Sequence, residues 1–277
     1  MPIKLVAVDL DDTLLNSKIA IGPRSLVAIR EAMAQGVVVT IATGRMYRST
    51  LPFARQLELD VPLITYNGAL VKASLSGTTY LHRPLDLAVA REVLALFKDR
   101  GWHIQAFVDD VLYVAEINDK VLSYQRVAKV EPVVIGKDLY RLTAPPTKLL
   151  AIADPAEIKA IYKEVHATFG DRLFLTASKR YFLEMINPDV NKGKALAFLA
   201  AQLGIKREEV MAVGDSYNDL EMIEYAGLGV AMGNAPDEVK ARAKAVTCSN
   251  DEDGVAEAIW RYVLGKEHKP GNTINFN

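Results

Sequence analysis

The stretch Leu5-Val6-Ala7-Val8-Asp9-Leu10-Asp11-Asp12-Thr13-Leu14 sets how the rest of the chain is read. Four apolar residues in a row, with no polar alternation, suit a strand buried on both faces. Acidic residues and a turn follow at its end. The pattern returns in Val37-Val38-Val39-Thr40-Ile41-Ala42 ahead of Thr43-Gly44-Arg45, and in Val210–Val213 ahead of Gly214-Asp215. Pro62–Tyr66, Gly229–Met232 and Ala245–Thr247 read as further strands. Helical spacing fills the intervals. Leu26, Ile29, Ala32 and Met33 follow Gly22-Pro23 up to Gln35. Leu51, Ala54 and Leu57 mark a second helix, Leu196, Leu199 and Leu203 a third over Lys192–Leu203. Others start near Asn218 and span Val255–Leu264. Buried strands separated by helices predict an α/β fold with a Rossmann-like, doubly wound parallel sheet.

The middle of the chain follows a different pattern. Asn67-Gly68 signals a hairpin turn before short strands at Ala69–Ala73 and Thr78–His82. A helix fits Leu87–Arg100 and stops at Gly101. Trp102–Val108 and Val111–Ala115 flank Asp109-Asp110 as a second hairpin. Thr147–Ala153 is a strand, Pro155–Phe169 a helix, and Arg172–Ala177 with Tyr181–Ile186 a last hairpin. Hairpins mixed with helices predict an α+β module. The expected organisation is a core formed by residues 1–82 and 188–277, with residues 83–187 inserted. The polar tail His268–Asn277 carries no assigned role.

Composition excludes several classes. Among 277 residues, 33 Lys and Arg face 34 Asp and Glu. A chain so balanced has no bulk electrostatic reason to bind nucleic acid or an anionic membrane. No apolar run reaches the ~18 residues that span a bilayer. The single cysteine, Cys248, forms neither an internal disulfide nor a CxxC metal site. With no secretion signal at Met1–Leu5, the expected location is the reducing cytoplasm. The four histidines, His82, His103, His166 and His268, have no metal-like spacing and are read as structural. No feature demands an assembly beyond a monomer or weak homodimer.

Four clusters carry chemistry, each where a loop leaves a strand end, the edge at which open parallel sheets bind ligands. Asp9 and Asp11, two residues apart, point the same way in an extended segment. Clustered carboxylates repel, so they call for a cation or a shared proton, and an oxygen-rich site suits Mg²⁺. Thr43 offers a hydroxyl, and Gly44 admits close approach of an anion to backbone N–H groups. Lys192, in Asn191-Lys192-Gly193-Lys194, sits at a helix start, where the macrodipole disfavours a cation unless an anion is near. Asp215, Asn218 and Asp219 add further oxygens. Singly, these are better explained as an acidic turn and helix caps. Jointly they supply a carboxylate nucleophile, an acid/base, a hydroxyl, a lysine and a metal acid, the set that phosphoryl transfer needs.

These residues resemble the haloacid dehalogenase superfamily, and within it the Cof-like phosphatases with a large inserted cap. Asp9 through Leu14 is similar to the DxDxT motif, Thr43 to the second motif, Lys192 to the third, and Gly214 through Asp219 to GDxxND. Tyr66-Asn67-Gly68-Ala69 and Leu183-Glu184 resemble segments that border the cap. The resemblance implies a phosphomonoester hydrolase for a small soluble phosphate ester. Asp9 would be nucleophile and Mg²⁺ ligand. Asp11 would be acid/base, its carbonyl also on Mg²⁺. Asp215 would complete the metal site. Thr43, Lys192 and the N–H groups of Leu10 and Gly44 would hold phosphate. Asn218 would contact phosphate or substrate. Asp219 would position Lys192 or a metal-bound water.

Two alternatives share the toolkit: a phosphotransferase or mutase, and a non-catalytic phosphoacceptor or ligand-sensing module. Lys148, Ser178, Lys179, Arg180, Tyr181 and Glu184 are further candidates to face the substrate. Arg45 and Arg48 are expected at a solvated helix start, and Asp109-Asp110 as a plain hairpin turn.

Overall fold

The structure, a computed structural model, describes residues 2–266. In chain order the first elements are β1 (Leu5–Val8), α1 (Pro23–Ala34), β2 (Val38–Ile41), α2 (Tyr47–Gln56), β3 (Pro62–Thr65), β4 (Leu70–Ala73) and β5 (Thr79–His82). Next come α3 (Leu87–Arg100), β6 (Ile104–Val108), β7 (Val111–Val114), α4 (Asp119–Ala128), β8 (Val133–Val134), β9 (Lys148–Ile152), α5 (Pro155–Phe169), β10 (Phe174–Thr176) and β11 (Phe182–Ile186). The chain then forms α6 (Lys192–Gln202), β12 (Val210–Gly214), α7 (Leu220–Tyr225), β13 (Leu228–Ala231), α8 (Asp237–Lys240), β14 (Ala245–Val246) and α9 (Gly254–Tyr262).

The first sheet runs β14-β13-β12-β1-β2, every pair parallel. The period-two geometry of a strand divides its side chains between two faces. Val6, Val8, Met211 and Val213 pack with Ala28, Ile29 and Ala32 of α1 and Val255, Ile259 and Trp260 of α9. Leu5, Ala7, Val210 and Ala212 pack with Ala195, Leu196 and Leu199 of α6 and Met222 of α7. The sheet is therefore doubly wound, which explains why its strands read as unbroken apolar runs. β1 lies between β2 on one side and β12 on the other. The strand order reverses there, so the carboxyl ends of these three strands open one crevice.

A second sheet, β10-β11-β9-β6-β7-β8, is formed wholly by strands between α3 and Ile186 and is antiparallel except at β7–β8. One of its faces is apolar: Ile104, Ala106, Leu149, Ala151, Leu183 and Met185 pack under α3 and α5. Helix α3 spans the expected residues, capped by Asp86 and closed by Gly101 in the left-handed region. The turn Asp109-Asp110 has positive φ at both residues, as a two-residue hairpin requires.

Two readings need correction. The strand at Pro62–Tyr66 is not a member of the parallel sheet. β3 pairs antiparallel with β4 in a β3-β4-β5 sheet and touches the main sheet through one parallel bridge, Ala42 to Ile64. The left-handed Asn67 turns the chain straight back into β4, so hairpin geometry overrides the apolar pattern. The second surprise is α4, in a stretch whose pattern gives little warning. It is capped by the Asn118 side chain on Val121 N–H and buries Val121, Tyr124 and Ala128. Among the described residues no helix is long and apolar enough to cross a membrane.

Candidate active site

The loop after β1 is pinned from several sides. Asp9 N–H bonds to Val213 O, which ties the strand end to β12. Asp12 takes a left-handed φ of 59° and Leu15 N–H returns to Leu10 O, so the acidic run curls over the sheet edge. Thr13 Oγ1 donates to Asp215 Oδ1 at 2.7 Å and joins this loop to the one after β12.

Lys192 opens α6 and is wholly buried. Its Nζ donates to Asp9 Oδ1 and Asp219 Oδ1, both at 2.6 Å. Asp219 Oδ2 accepts the N–H groups of Asp215 and Ser216 at 3.0 and 2.9 Å. Asp219 is thus fully engaged and positions the lysine. Oxygens of Asp9, Asp215 and Asp219 lie within 4.8 Å of one another. Three buried carboxylates cluster here, and the one ammonium pairs with two of them. Burial raises Asp9 well above the ordinary carboxylate range; Lys192 opposes the rise, and Asp219 and Asp215 add to it. Burial, with Asp219 beside it, pushes Asp215 up to about 7. Lys192 rises instead, because the two carboxylates outweigh its own burial. Oδ2 of Asp9 and of Asp215 make no hydrogen bond among the described residues. The site has hard oxygen donors, excess negative charge and unused lone pairs, which suits a divalent cation such as Mg²⁺.

Anion donors face the same crevice. The N–H groups of Leu10 and Gly44 have no hydrogen-bond partner among the described residues. Thr43 Oγ1 accepts Arg45 N–H at 3.2 Å, which leaves its own proton to donate. Asp9, Asp11, Thr43, Gly44 and Asn218 line one cavity of about 40 Å³. That is room for roughly three waters. Lys192, Asp215 and Asp219 stand behind Asp9 rather than on the wall, and Leu10 contributes backbone only.

A family model of haloacid dehalogenase-like hydrolases matches residues 6–259. The chain belongs to this family. A solved haloacid dehalogenase-like hydrolase from Bacteroides thetaiotaomicron superposes with a TM-score of 0.85 at 32% identity, covering 94% of this chain and 99% of that one. Two curated relatives from Bacillus subtilis bear the name 5-amino-6-(5-phospho-D-ribitylamino)uracil phosphatase. YitU is 33% identical over 264 residues, 93% of this chain and 97% of its own. YcsE is 34% identical over 270 residues, 95% of this chain and 96% of its own.

In this hydrolase Arg45 is not at a solvated helix start. It is buried and grips Asp11 with two bonds, Nε to Oδ2 and Nη2 to Oδ1, each 2.7 Å. Burial alone would raise Asp11, but the guanidinium holds it below the usual carboxylate value. Arg45 Nη1 also donates to Val127 O, and Ser49 Oγ to Ala128 O, so the carbonyl end of α4 docks on this pair. A helix C-terminus carries unpaired carbonyls and partial negative charge, which is why a buried arginine is tolerated there. Asp110 is more than a turn residue: it accepts Tyr66 Oη and Arg48 N–H. Tyr124, Val127 and Ala128 of α4 complete the cavity wall.

Of the other candidates, Lys148, Ser178, Lys179 and Glu184 line the cavity, while Arg180 and Tyr181 are exposed away from it. His82 pairs with Thr147, His103 with Gln105 and Asn118, and His166 stacks on Tyr162. Cys248 is half-buried in a loop. His268 and the tail lie outside the described residues. Sequence reasoning assigned no roles to Thr13 and Asn67, although both stand inside quoted motifs.

Proposed function

We propose that the protein is a Mg²⁺-dependent phosphomonoester hydrolase that acts through an aspartyl-phosphate on Asp9, with residues 83–187 serving as the cap over the site. The observation that carries this reading is the juxtaposition at Asp9. A buried carboxylate stands beside an ammonium and two N–H groups that have no partner among the described residues, at the edge of a cavity. Unpaired buried donors are rare, and an incoming phosphate would satisfy them.

Asp9 attacks phosphorus, and the leaving oxygen takes a proton from the Asp11 carboxyl. The Asp11 carboxylate then accepts a proton from water. That water attacks the aspartyl-phosphate, releasing inorganic phosphate and restoring Asp9. Arg45 favours the Asp11 carboxylate, the form the water-activating step uses, so the first step draws on the minor population in which Asp11 carries a proton. Lys192, Thr43 Oγ1 and the N–H groups of Leu10 and Gly44 hold the equatorial oxygens, whose charge must be stabilised in the transition state. Asp9, Asp215 and the Asp11 carbonyl would hold Mg²⁺, which when bound would supply further neutralisation of the transferring group. A cavity of about 40 Å³ is too small for an organic phosphate, so the cap would move to admit one.

The test is phosphate release from p-nitrophenyl phosphate with Mg²⁺, with chelator, and with Asp9→Asn. Both controls abolish turnover if the reading holds, and activity that survives Asp9→Asn sinks it. A panel of small phosphate esters follows. It includes 5-amino-6-(5-phospho-D-ribitylamino)uracil, because two relatives carry that substrate in their names. Free inorganic phosphate as the product, against phosphate moved within a sugar, separates hydrolase from mutase.

A further inference from the structure

Strand alternation gives the second sheet one apolar face under its helices and one face toward the crevice. The crevice-facing side carries two charged residues on neighbouring strands, Lys148 of β9 and Glu184 of β11. Their side chains are 3% and 2% exposed, and Lys148 Nζ lies 3.0 Å from Glu184 Oε2. A buried ion pair is seldom worth more to a fold than apolar residues of equal volume. These two residues are satisfied largely by groups of the other sheet system. Lys148 Nζ donates to Gly44 O at 2.6 Å and lies over the rings of Phe107 and Tyr66, at 4.9 and 5.7 Å. Glu184 Oε2 accepts Asn67 Nδ2 at 2.7 Å, and Oε1 accepts Ser178 Oγ. Asn67 Oδ1 in turn accepts Asn218 Nδ2 at 3.0 Å.

The fit to Gly44 is close. A Cβ there would stand 2.9 Å from Asn67 Oδ1 and 3.3 Å from both Glu184 oxygens. Glycine at this position lets the inserted module seat its charge pair on the turn. The same turn presents the free Gly44 N–H and the Thr43 hydroxyl to the cavity.

We propose that Lys148 and Glu184 are positioning residues: seated on Gly44 and Asn67, they fix the anion-binding turn Thr43–Arg45 in its working geometry when the inserted module closes. The assignment rests on the hydrolase reading for its effect on turnover, but not for its effect on the turn. When the module lifts away both charges are hydrated; when it closes they are fully paired.

The test uses the full chain with Mg²⁺ and p-nitrophenyl phosphate. The double variant Lys148→Met/Glu184→Gln removes both charges and so avoids stranding one. We expect kcat to fall roughly 10- to 150-fold, the loss of one hydrogen bond to a charged group. KM should move by less than about threefold, because the substrate's own contacts remain. Amide hydrogen exchange at residues 43–45, measured without substrate, should quicken in the folded variant. The milder Asn67→Gly keeps the left-handed backbone and removes the links to both Glu184 and Asn218, while the Lys148–Gly44 contact stays. It should lower kcat in the same direction by about fivefold, and it decides the matter if the double variant does not fold. Unchanged kcat with unchanged exchange overturns the proposal. So does a rise in KM alone, which would place the pair in leaving-group binding. If wild-type protein releases no phosphate, the hydrolase reading fails, and exchange at the turn still tests the latch.

Discussion

Stripped of divalent metal, this protein should lose stability relative to its Asp215→Asn variant as pH rises from about 4 to 7. Asp9 and Asp215 have folded pKa values raised above the unfolded value, first by burial. An acid with a raised pKa binds more protons folded than unfolded, so stability is lost as pH climbs between the two values. For Asp215 the window runs from the ordinary 3.8 to about 7. Each pKa unit corresponds to about 1.4 kcal/mol, so the metal-free protein should lose about 4 kcal/mol across the window from this group. The other shifted groups of the cluster act elsewhere. Asp11 is lowered and matters only below the ordinary carboxylate pKa, and Lys192 is raised above its usual range. Buried His103, lowered to about 4, works the other way over much of this window, but it is common to both proteins; at about 2–4 °C per kcal/mol for a chain of this size, the unfolding temperature should drop by about 10 °C relative to Asp215→Asn. Mg²⁺ binds the deprotonated site and should cancel the drop, since a ligand of the folded state adds stability by mass action. Asp215→Asn removes one of three crowded carboxylates yet retains an acceptor for Thr13 Oγ1. It should unfold at higher temperature than wild type at pH 8 in chelator, while losing the response to Mg²⁺. Thermal denaturation at pH 5, 6, 7 and 8, with chelator or Mg²⁺, measures all of this. A metal-free difference between wild type and Asp215→Asn that stays flat or moves in wild type's favour over that range would refute the reasoning, as would an unchanged Mg²⁺ response in Asp215→Asn.

Other perturbations test single contacts. Arg45→Lys keeps the charge but loses the two-pronged grip on Asp11, and steady-state kinetics should show kcat lower by about 10- to 100-fold with the fold intact. Thr13→Val removes the tie between the loops after β1 and β12; Mg²⁺ titration should show affinity weakened by about tenfold, the value of one buried hydrogen bond. Gly193→Ala would set a Cβ 2.4 Å from Glu221 O, where α6 and α7 cross, and denaturant unfolding should report a loss of about 1–3 kcal/mol.

The parallel core was legible because burial on both faces leaves an unmistakable mark: Leu5–Val8 and Val210–Val213 have no polar position to give away a solvent side. The loops that gather around Asp9 were legible because their residues are costly anywhere else. A lysine at a helix N-terminus or three acids in four positions call for a partner, and the fold brings those partners together around Asp9. β3 misled because an apolar run reports burial and not direction. Ile64 is as buried as any core residue, yet only the left-handed turn at Asn67 reveals that its strand runs back antiparallel.

Arg45 shows why the rest was hidden. Read along the chain, an arginine after Thr-Gly at a helix start has the whole solvent as its default surroundings. Its actual surroundings are Asp11, 34 residues away, and Val127 O, 82 residues away. Neither partner announces itself locally, since Val127 contributes a backbone carbonyl that any residue would supply. The same holds for Lys148, whose acceptor is the carbonyl of Gly44. Side-chain chemistry that meets side-chain chemistry at a strand end leaves a motif. Side-chain chemistry that meets the backbone of a distant element leaves none. The seam between the two sheet systems is built largely of the second kind. Substitutions at residues 127 and 128 that preserve helix α4 should therefore leave its docking on Arg45 and Ser49 intact, whereas a proline at 128 that breaks the last turn should release it.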